Sequence, residues 1–281
     1  MTYNELAQAW ELSVSNDEHS ILSKRTLYNH CQAIFRQFGI EILCKRGRNL
    51  NYYYISNPEE LDKDNLSGWL IESFSVSSLL SNNKDIADKI LLEEIPSGRQ
   101  YLTLVLTALK QQKTILISYR NFVGHSFENK EAFPLCVKLF KRRWYILVKV
   151  LDWERFWILS LDRITDLELT DHNYHYPEDF VAKDYFAPYF GITVMPDCKA
   201  EKIVLRAYNR LPKYLESLPL HHSQKIVQRN EAYTDFSIYV APTFEFIQEI
   251  LLHGDQIEVI APISLREKVT QIIKNSLKHY I

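Results

Sequence analysis

Hydrophobic positions recur at helical spacing through the first 40 residues. A short helix is predicted over residues 2–11 with Thr2 as its cap, and a second helix over residues 23–38. Gly39 is placed to end the second helix, because glycine readily adopts the left-handed conformation found at helix C-termini. The apolar side chains that we expect on the buried side of this helix are Leu27, Ile34, Phe35 and Phe38.

Two strand-like segments follow at residues 40–45 and 50–55, and the basic turn Arg-Gly-Arg-Asn joins them. The order of helix, basic helix and hairpin with a basic tip is typical of a winged helix-turn-helix. Pro58 and the charged segment that follows it then mark a boundary. We therefore predict a DNA-binding domain over residues 1–62.

Residues 63–112 are predicted to form a helical connector. Helical patterns cover residues 65–82 and 84–94, and a third helix over residues 98–111 follows the break at Pro96. Amphipathic connectors often pair chains. This segment is therefore the predicted dimerisation region, together with the C-terminal domain.

From Thr114 onward the apolar period shortens to two. About five short alternating segments at close spacing predict a small β-barrel over residues 113–170. Residues 171–199 are rich in aromatic side chains and predict an irregular linker with some helix. Residues 200–281 show the order β-α-β-β-α-β and a final helix, which is a ferredoxin-like pattern. The predicted fold class is a multidomain α+β protein.

The composition is that of an ordinary soluble globular protein, with 46% apolar and 24% charged residues in a chain of 281. No uninterrupted apolar run reaches the roughly 18 residues of a membrane span. The N-terminus has no basic start followed by an apolar core, so secretion is not expected. The four cysteines are scattered and fit free thiols. These features predict a cytoplasmic protein without membrane contact.

The net charge of −2 hides an uneven distribution, because residues 20–57 carry six Lys and Arg side chains against Glu41 alone. Short polar and basic residues at a recognition-helix start contact base edges, while a basic wing neutralises phosphates. A solvated helix face beside a plain hairpin is the alternative interpretation. The predicted DNA-binding residues are Lys24, Arg25, Thr26, Tyr28 and Asn29 in the helix, and Lys45, Arg46 and Arg48 in the wing.

Signatures of catalysis are mostly missing from the sequence. It contains no nucleophile elbow, no phosphate-binding glycine loop and no H-E-x-x-H zinc motif. His172 with His175, and His221 with His222, lack the cysteines or carboxylates that would complete a metal site. We expect no metal, no cofactor and no catalytic residue. Two other classes stay open: a nucleic-acid-processing hydrolase with a DNA-binding tether, and a single-stranded RNA-binding module.

Several short motifs resemble those of bacterial WYL-domain transcriptional regulators. SKRTLYNH resembles their recognition-helix start, KRRWYILVKV their eponymous strand and LSLDRI their terminal strand. ISYRN and PLCVKLF are similar to the first two strands of the same domain, and GDQIEVIAPISLREKV to the end of the C-terminal extension that often follows. Each motif is short, but together they cover nearly the whole chain in the family's order.

This resemblance implies a winged helix-turn-helix, a helical linker, an SH3/Sm-like WYL barrel and a ferredoxin-like extension. It also implies a homodimer that binds double-stranded DNA, and a barrel that senses a nucleotide or nucleic-acid effector. The effector-binding residues that it implies are Tyr119, Arg120, Trp144, Tyr145 and Arg163.

The sequence departs from the family pattern at two places. Asn29 and His30 replace the usual Arg-Asp of the helix start, so base preferences do not transfer. Trp157 occupies the place of a usual arginine, for which Arg155 is the expected substitute. In the WYL strand we expect Trp144, Ile146 and Val148 to face the core, and Lys141 and Arg142 to form a solvated hairpin tip.

Overall fold

A computed structural model describes residues 1–13, 16, 20–47, 51–61, 66–82, 89, 98–151 and 153–281. The chain divides into two compact units, Met1–Glu93 and Glu94–Ile281. The described part is a mixed α/β protein with three separate β-sheets and eight α-helices. No helix in the described part is long and apolar enough to cross a membrane.

The first unit begins with α1 (Tyr3–Glu11) and α2 (Lys24–Phe38). The Thr2 hydroxyl accepts a hydrogen bond from the Glu5 backbone N–H, and the Ser23 hydroxyl accepts one from Thr26 in the same way. Gly39 ends α2 with a φ of 71°, which confirms the predicted stop. The antiparallel hairpin of β1 (Ile42–Arg46) and β2 (Asn51–Ile55) follows, and then α3 (Leu66–Asn82).

A small apolar core joins α1, α2 and the hairpin. Leu22, Leu27 and Cys31 are buried in it, against a ring of partly buried side chains that consists of Tyr3, Leu6, Ala7, Trp10, Ile42 and Tyr53. Phe35 is 51% exposed, although it falls at helical spacing with the other apolar residues of α2. At about 100° per residue, Ile34 and Phe38 lie close to the direction of the buried Leu27, whereas Phe35 is turned roughly 80° away from it. The predicted helix over residues 84–94 falls almost entirely outside the described residues.

The second unit starts with α4 (Arg99–Gln111) and a five-stranded antiparallel sheet. The sheet order is β6-β5-β4-β3-β7, and a 3-10 turn, Leu161–Arg163, joins the two edge strands β6 and β7. The strands are β3 (Lys113–Arg120), β4 (Ser126–Phe140), β5 (Arg143–Val150), β6 (Phe156–Ser160) and β7 (Ile164–Asn173).

Both faces of this sheet are covered. Val105 and Ala108 of α4 are fully buried against one face, which also holds Ile146 and Val148. The helix that the sequence places in the connector therefore packs into the core of the five-stranded sheet. Leu147 faces the other side, against Leu135, Phe186 and the irregular segment that follows β7. This segment contains α5 (Ala182–Phe186).

The last part of the chain has the predicted order of elements. It runs β8 (Glu201–Tyr208), α6 (Leu211–Ser217), β9 (Lys225–Arg229), β10 (Tyr233–Val240), α7 (Phe244–Leu252), β11 (Ile257–Ala261) and α8 (Ile263–Leu277). The strands form a separate antiparallel sheet in the order β11-β8-β10-β9, so β10 lies between β8 and β9. A core of Ile, Leu, Val and Phe side chains lies between this sheet and the helices.

Candidate nucleic-acid interface and effector site

The first turns of α2 present polar and basic side chains to solvent. Lys24, Arg25 and Asn29 are exposed, and Tyr28 is 63% exposed. Thr26 is half-buried, and its hydroxyl lies 2.7 Å from that of Ser23. Lys24 also lies over the ring of Tyr3, with its Nζ 5.5 Å from the ring centre. The buried side of the helix thus fixes which predicted DNA-binding residues face outward.

No acidic residue occurs in α2, and its positive N-terminal dipole adds to the charges of Lys24 and Arg25. Arg36 lies in the last turn of the same helix and is exposed. This surface therefore has the sign and the composition of a face that approaches phosphates.

The hairpin places Lys45 and Arg46 at the end of β1, where both are exposed. Arg48 lies outside the described residues. Lys45 pairs in register with Tyr52, and Leu43 with Tyr54, so one outward face of the hairpin carries two half-exposed tyrosines beside a lysine. Sequence reasoning missed Tyr52 and Tyr54, although their alternation with the partly buried Tyr53 identifies them.

In the second unit, Arg163 lies at the end of the turn after β6. Its guanidinium carbon lies 4.3 Å from the centre of the Phe122 ring, and its buried Nε has no hydrogen-bond partner among the described residues. A buried guanidinium N–H without an acceptor is costly, because the group has given up its contact with water. Arg163 therefore offers a donor to a ligand.

Asp162 does not pair with its neighbour Arg163. Its carboxylate accepts a hydrogen bond from Arg143, with 2.9 Å between Nη1 and Oδ2, and another from the Ser160 hydroxyl. Asp162 and Arg163 belong to a 3-10 turn rather than to a strand. Arg143, which was not among the predicted effector residues, thus joins β5 to the turn.

Tyr145 belongs to the same corner of the sheet. Burial raises the pKa of the Tyr145 hydroxyl, and the nearby charges of Arg163 and Arg143 oppose that rise. The tyrosine is therefore neutral at pH 7 and able to donate a hydrogen bond. Together Arg163, Arg143 and Tyr145 form a donor-rich corner next to the Asp162 carboxylate, which we name the arginine corner.

Two other predicted effector residues, Tyr119 and Arg120, lie elsewhere on the sheet. Tyr119 is buried and stacks on Phe127 with 5.7 Å between ring centres, and β4 separates its strand from that of Tyr145. Arg120 is exposed at the end of β3. Trp144 lies between Arg143 and Tyr145 on β5, where it is partly buried and packs against the core together with Ile146 and Val148, as predicted.

Arg155 lies at the start of β6, whereas Arg163 follows its end. A five-residue strand spans roughly 16 Å, so these two arginines do not converge on one small anion. Arg155 lines a groove along β6 together with Trp157, the residue at the place of the usual arginine. Arg155, the expected substitute for the usual arginine at position 157, therefore faces this groove rather than the arginine corner.

The basic residues of the β4–β5 hairpin have separate roles. Lys141 and Arg142 form the two-residue turn, both with positive φ and both exposed, in agreement with the predicted tip. Lys141 does not contact solvent alone, because its Nζ lies 2.9 Å from Glu249 Oε2 of α7. Lys138 is instead half-buried, and its Nζ donates a hydrogen bond to the Gly191 carbonyl at 2.6 Å. Burial lowers the pKa of Lys138 to about 8.

The histidines noted in the sequence have ordinary partners. His172 lies 2.7 Å from Glu131, and His221 contacts the Ser223 hydroxyl and the Ala187 carbonyl. Among the residues that the structure describes, no group of three or more His, Cys, Asp and Glu side chains could hold a metal ion.

Two family models match the sequence. A WYL domain matches residues 100–169, and a WCX domain matches residues 199–277. No curated protein matches the chain.

Among solved structures, proteasome accessory factor B/C (PafBC) of Arthrobacter aurescens is 18% identical, with a TM-score of 0.33, over 96% of this chain and 42% of that protein. A CRISPR Cas-related protein is 11% identical, with a TM-score of 0.41, over 97% of this chain and 76% of that one. The chain thus spans less than half the length of PafBC.

Proposed function

This chain belongs to the WYL-domain proteins that carry a C-terminal WCX domain, and we propose that it is a homodimeric transcriptional regulator that binds double-stranded DNA. In this proposal residues 1–62 are the winged helix-turn-helix and residues 113–170 an SH3/Sm-like barrel extended by α4. The ferredoxin-like extension covers residues 200–281, and the connectors are 63–112 and 171–199. The protein acts without catalysis of its own.

The exposed basic face of α2, next to a basic hairpin, is the observation that carries the DNA-binding part. Its cations lie on the solvent side because Leu27 and Cys31 hold the opposite side in the core. Two independent elements therefore present positive charge from one small domain. Cations that approach the phosphates of DNA release the counterions condensed there. The affinity for DNA should therefore fall steeply as the salt concentration rises.

The test is capture of genomic DNA fragments by the full chain, followed by titration of the best fragment at several salt concentrations. Arg25→Ala in α2 and Arg46→Ala in the hairpin should each weaken binding and flatten the salt slope by about one unit. Lys213→Ala, which removes an exposed lysine from α6, is the matched control. Equal salt slopes in all three variants would refute the proposed interface.

The arginine corner is the proposed effector site. Arg163 has a donor without an acceptor, Arg143 contributes a second guanidinium, and Tyr145 contributes a neutral hydroxyl. Arginine next to aromatic rings suits a phosphate and a base together, so a nucleotide or a short single strand is the proposed ligand class. Arg120 and Tyr119 are proposed to support the same response from β3.

Titration of mononucleotides and of a short oligothymidylate into wild type and Arg163→Ala tests this part of the proposal. Binding should depend on Arg163 and change the affinity for the captured DNA fragment, which in turn should change the affinity for the ligand by the same factor. Failure of all these probes to bind the wild type would leave the DNA-binding proposal intact and remove the sensor.

Dimerisation is proposed to involve α3, in which apolar residues lie on all sides rather than on one stripe. Trp69, Phe74 and Val76 are all more than 40% exposed in the single chain. A helix of this kind is normally covered by other protein. Sedimentation of the full chain with and without DNA is the measurement, and only monomer at micromolar concentration in both cases contradicts the proposal.

A further inference from the structure

A groove of about 520 Å³ runs along the edge strand β6, on the opposite end of that strand from Arg163. The side chains that line it come from β6 and from the irregular segment around α5; they are Arg155, Phe156, Trp157, Tyr185, Tyr189, Val194 and Pro196. Its volume lies within the range of about 300 to 1,000 Å³ that is usual for ligand sites. Trp157 is 44% exposed and Phe156 38% exposed, so two rings are open to solvent.

The rings of the groove stand at steep angles to one another. Phe156 meets Tyr185 with 5.8 Å between ring centres and planes at 62°, and it meets Phe180 at 85°. On the other side of β6, Trp157 contacts Trp153 at 4.6 Å. These contacts hold the rings of Phe156 and Trp157 in place on β6.

Three of the four polar side chains of the groove have a donor without a partner among the described residues. Among the described residues, none accepts a hydrogen bond from the Arg155 guanidinium, the Trp157 indole N–H or the Tyr185 hydroxyl, and no carboxylate lies within salt-bridge distance of Arg155. The Tyr189 hydroxyl is already used, since it donates to the Met195 carbonyl at 3.3 Å. No lining side chain is a carboxylate or an amide.

The unpaired donors of Arg155, Trp157 and Tyr185 suit a ligand rich in acceptors. A polyproline II segment has no internal hydrogen bonds, so all its carbonyl groups are free to accept. Aromatic-lined grooves recognise such segments by seating proline rings between aromatic side chains. Arg155 adds a single positive charge, which favours an acidic residue in the ligand.

Nucleic acid fits the groove less well. Single-stranded binding relies on a cationic groove that follows the backbone, whereas this groove has one arginine. We propose that the β6 groove binds an acidic, proline-rich protein segment, a partner site separate from the DNA-binding and effector functions proposed above.

The experiment uses the full chain and three fluorescein-labelled synthetic peptides: (Pro-Pro-Glu)₃, its charge-reversed form (Pro-Pro-Lys)₃ and the flexible form (Gly-Gly-Glu)₃. Anisotropy titrations should show that the first binds more tightly than the other two. Trp157→Ala should weaken binding of (Pro-Pro-Glu)₃ about tenfold and Arg155→Ala about fivefold, as for hot-spot residues of an interface. Arg210→Ala, which removes an exposed arginine from the C-terminal domain, should leave it unchanged.

Arg155→Glu guards against loss of fold in the tryptophan variant, because Arg155 is exposed and has no hydrogen-bond or salt-bridge partner among the described residues. This variant should prefer (Pro-Pro-Lys)₃ over (Pro-Pro-Glu)₃, a gain that an unfolded protein cannot show. The proposal is overturned when (Pro-Pro-Glu)₃ fails to bind the wild type, or binds all variants equally. It is also overturned when an oligothymidylate, rather than the peptide, binds with dependence on Trp157 and Arg155.

Discussion

The exposed basic face of α2 and the arginine corner of the five-stranded sheet hold their arginines in opposite ways. On α2 the cations are exposed, and the buried stripe on the far side of the helix determines their direction. In the five-stranded sheet Arg163 and Arg143 are half-buried, one over an aromatic ring and the other bound to a carboxylate. The first surface depends on one helix, whereas the second depends on several strands and a turn.

This difference separates two kinds of electrostatic function. Exposed cations are screened by salt and act additively, so each contributes a modest and replaceable part of the affinity for a polyanion. Half-buried arginines contribute through fixed geometry, and a small shift of the backbone that carries them removes their effect. Substitutions should therefore affect the two regions differently.

The largest effect is expected for Gly98→Ala, at the N-terminus of α4. Gly98 has a φ of 64°, and an added Cβ would lie 2.3 Å from the backbone carbon of Leu161. The clash would displace the turn that carries Arg163. We expect a loss of about 3 kcal/mol or more in the free energy of unfolding, measured by urea denaturation.

Gly124→Ala is the matched control, since Gly124 has a φ of 90° but nothing within 4 Å of an added Cβ. It should cost only about 1 kcal/mol, from backbone strain alone. Equal losses in the free energy of unfolding for the two variants would show that the N-terminus of α4 does not contact the Leu161 backbone.

The next effect concerns the α2 face. Arg25→Ala combined with Arg46→Ala should reduce the affinity for duplex DNA about 30-fold at low salt, and the two single changes should add, since one lies on the helix and the other on the hairpin. Titrations at several salt concentrations measure both affinity and slope. A double variant no weaker than either single one contradicts the idea of independent, exposed contacts.

The half-buried Lys138 predicts a rise of stability with pH. Burial lowers the pKa of Lys138 to about 8, below the value near 10.4 in an unfolded chain, so between these values the unfolded state binds more protons. The free energy of unfolding should therefore rise from pH 7 to pH 10 by about 2 kcal/mol more in the wild type than in Lys138→Met. The exposed Lys141→Met should behave like the wild type in this comparison.

The contrast between the two regions also explains what the sequence predicts well. α2 was predicted with its cap and its stop, because Ser23, Gly39 and the apolar spacing are local signals. The order of elements in the last part of the chain followed from periodicity in the same way. Family resemblance, carried by motifs such as KRRWYILVKV, led to the WYL domain that the family model also finds.

The arginine corner and the β6 groove required the structure. The pairing of Arg143 with Asp162 depends on a 3-10 turn at a place where the sequence continues the pattern of a strand. The packing of α4 depends on Val105 and Ala108, whose burial no local signal distinguishes from that of a connector helix. Trp157 was noted only as a departure, and its groove exists because the segment around Tyr185 folds back along β6.

The smallest effect is expected for Phe122→Ala, and it tests whether a ring positions Arg163. Phe122 is 78% exposed, so removing it should change the free energy of unfolding by less than about 0.5 kcal/mol. A cation–π contact at an exposed site contributes roughly 0.5–1 kcal/mol, so loss of this contact should weaken binding of an oligothymidylate about threefold if Arg163 binds it. Val123→Ala is the control, because Val123 is 83% exposed on the same loop and makes no contact with Arg163 among those described. A similar loss in both variants, read by fluorescence titration, would show that the loop rather than the ring supports the site.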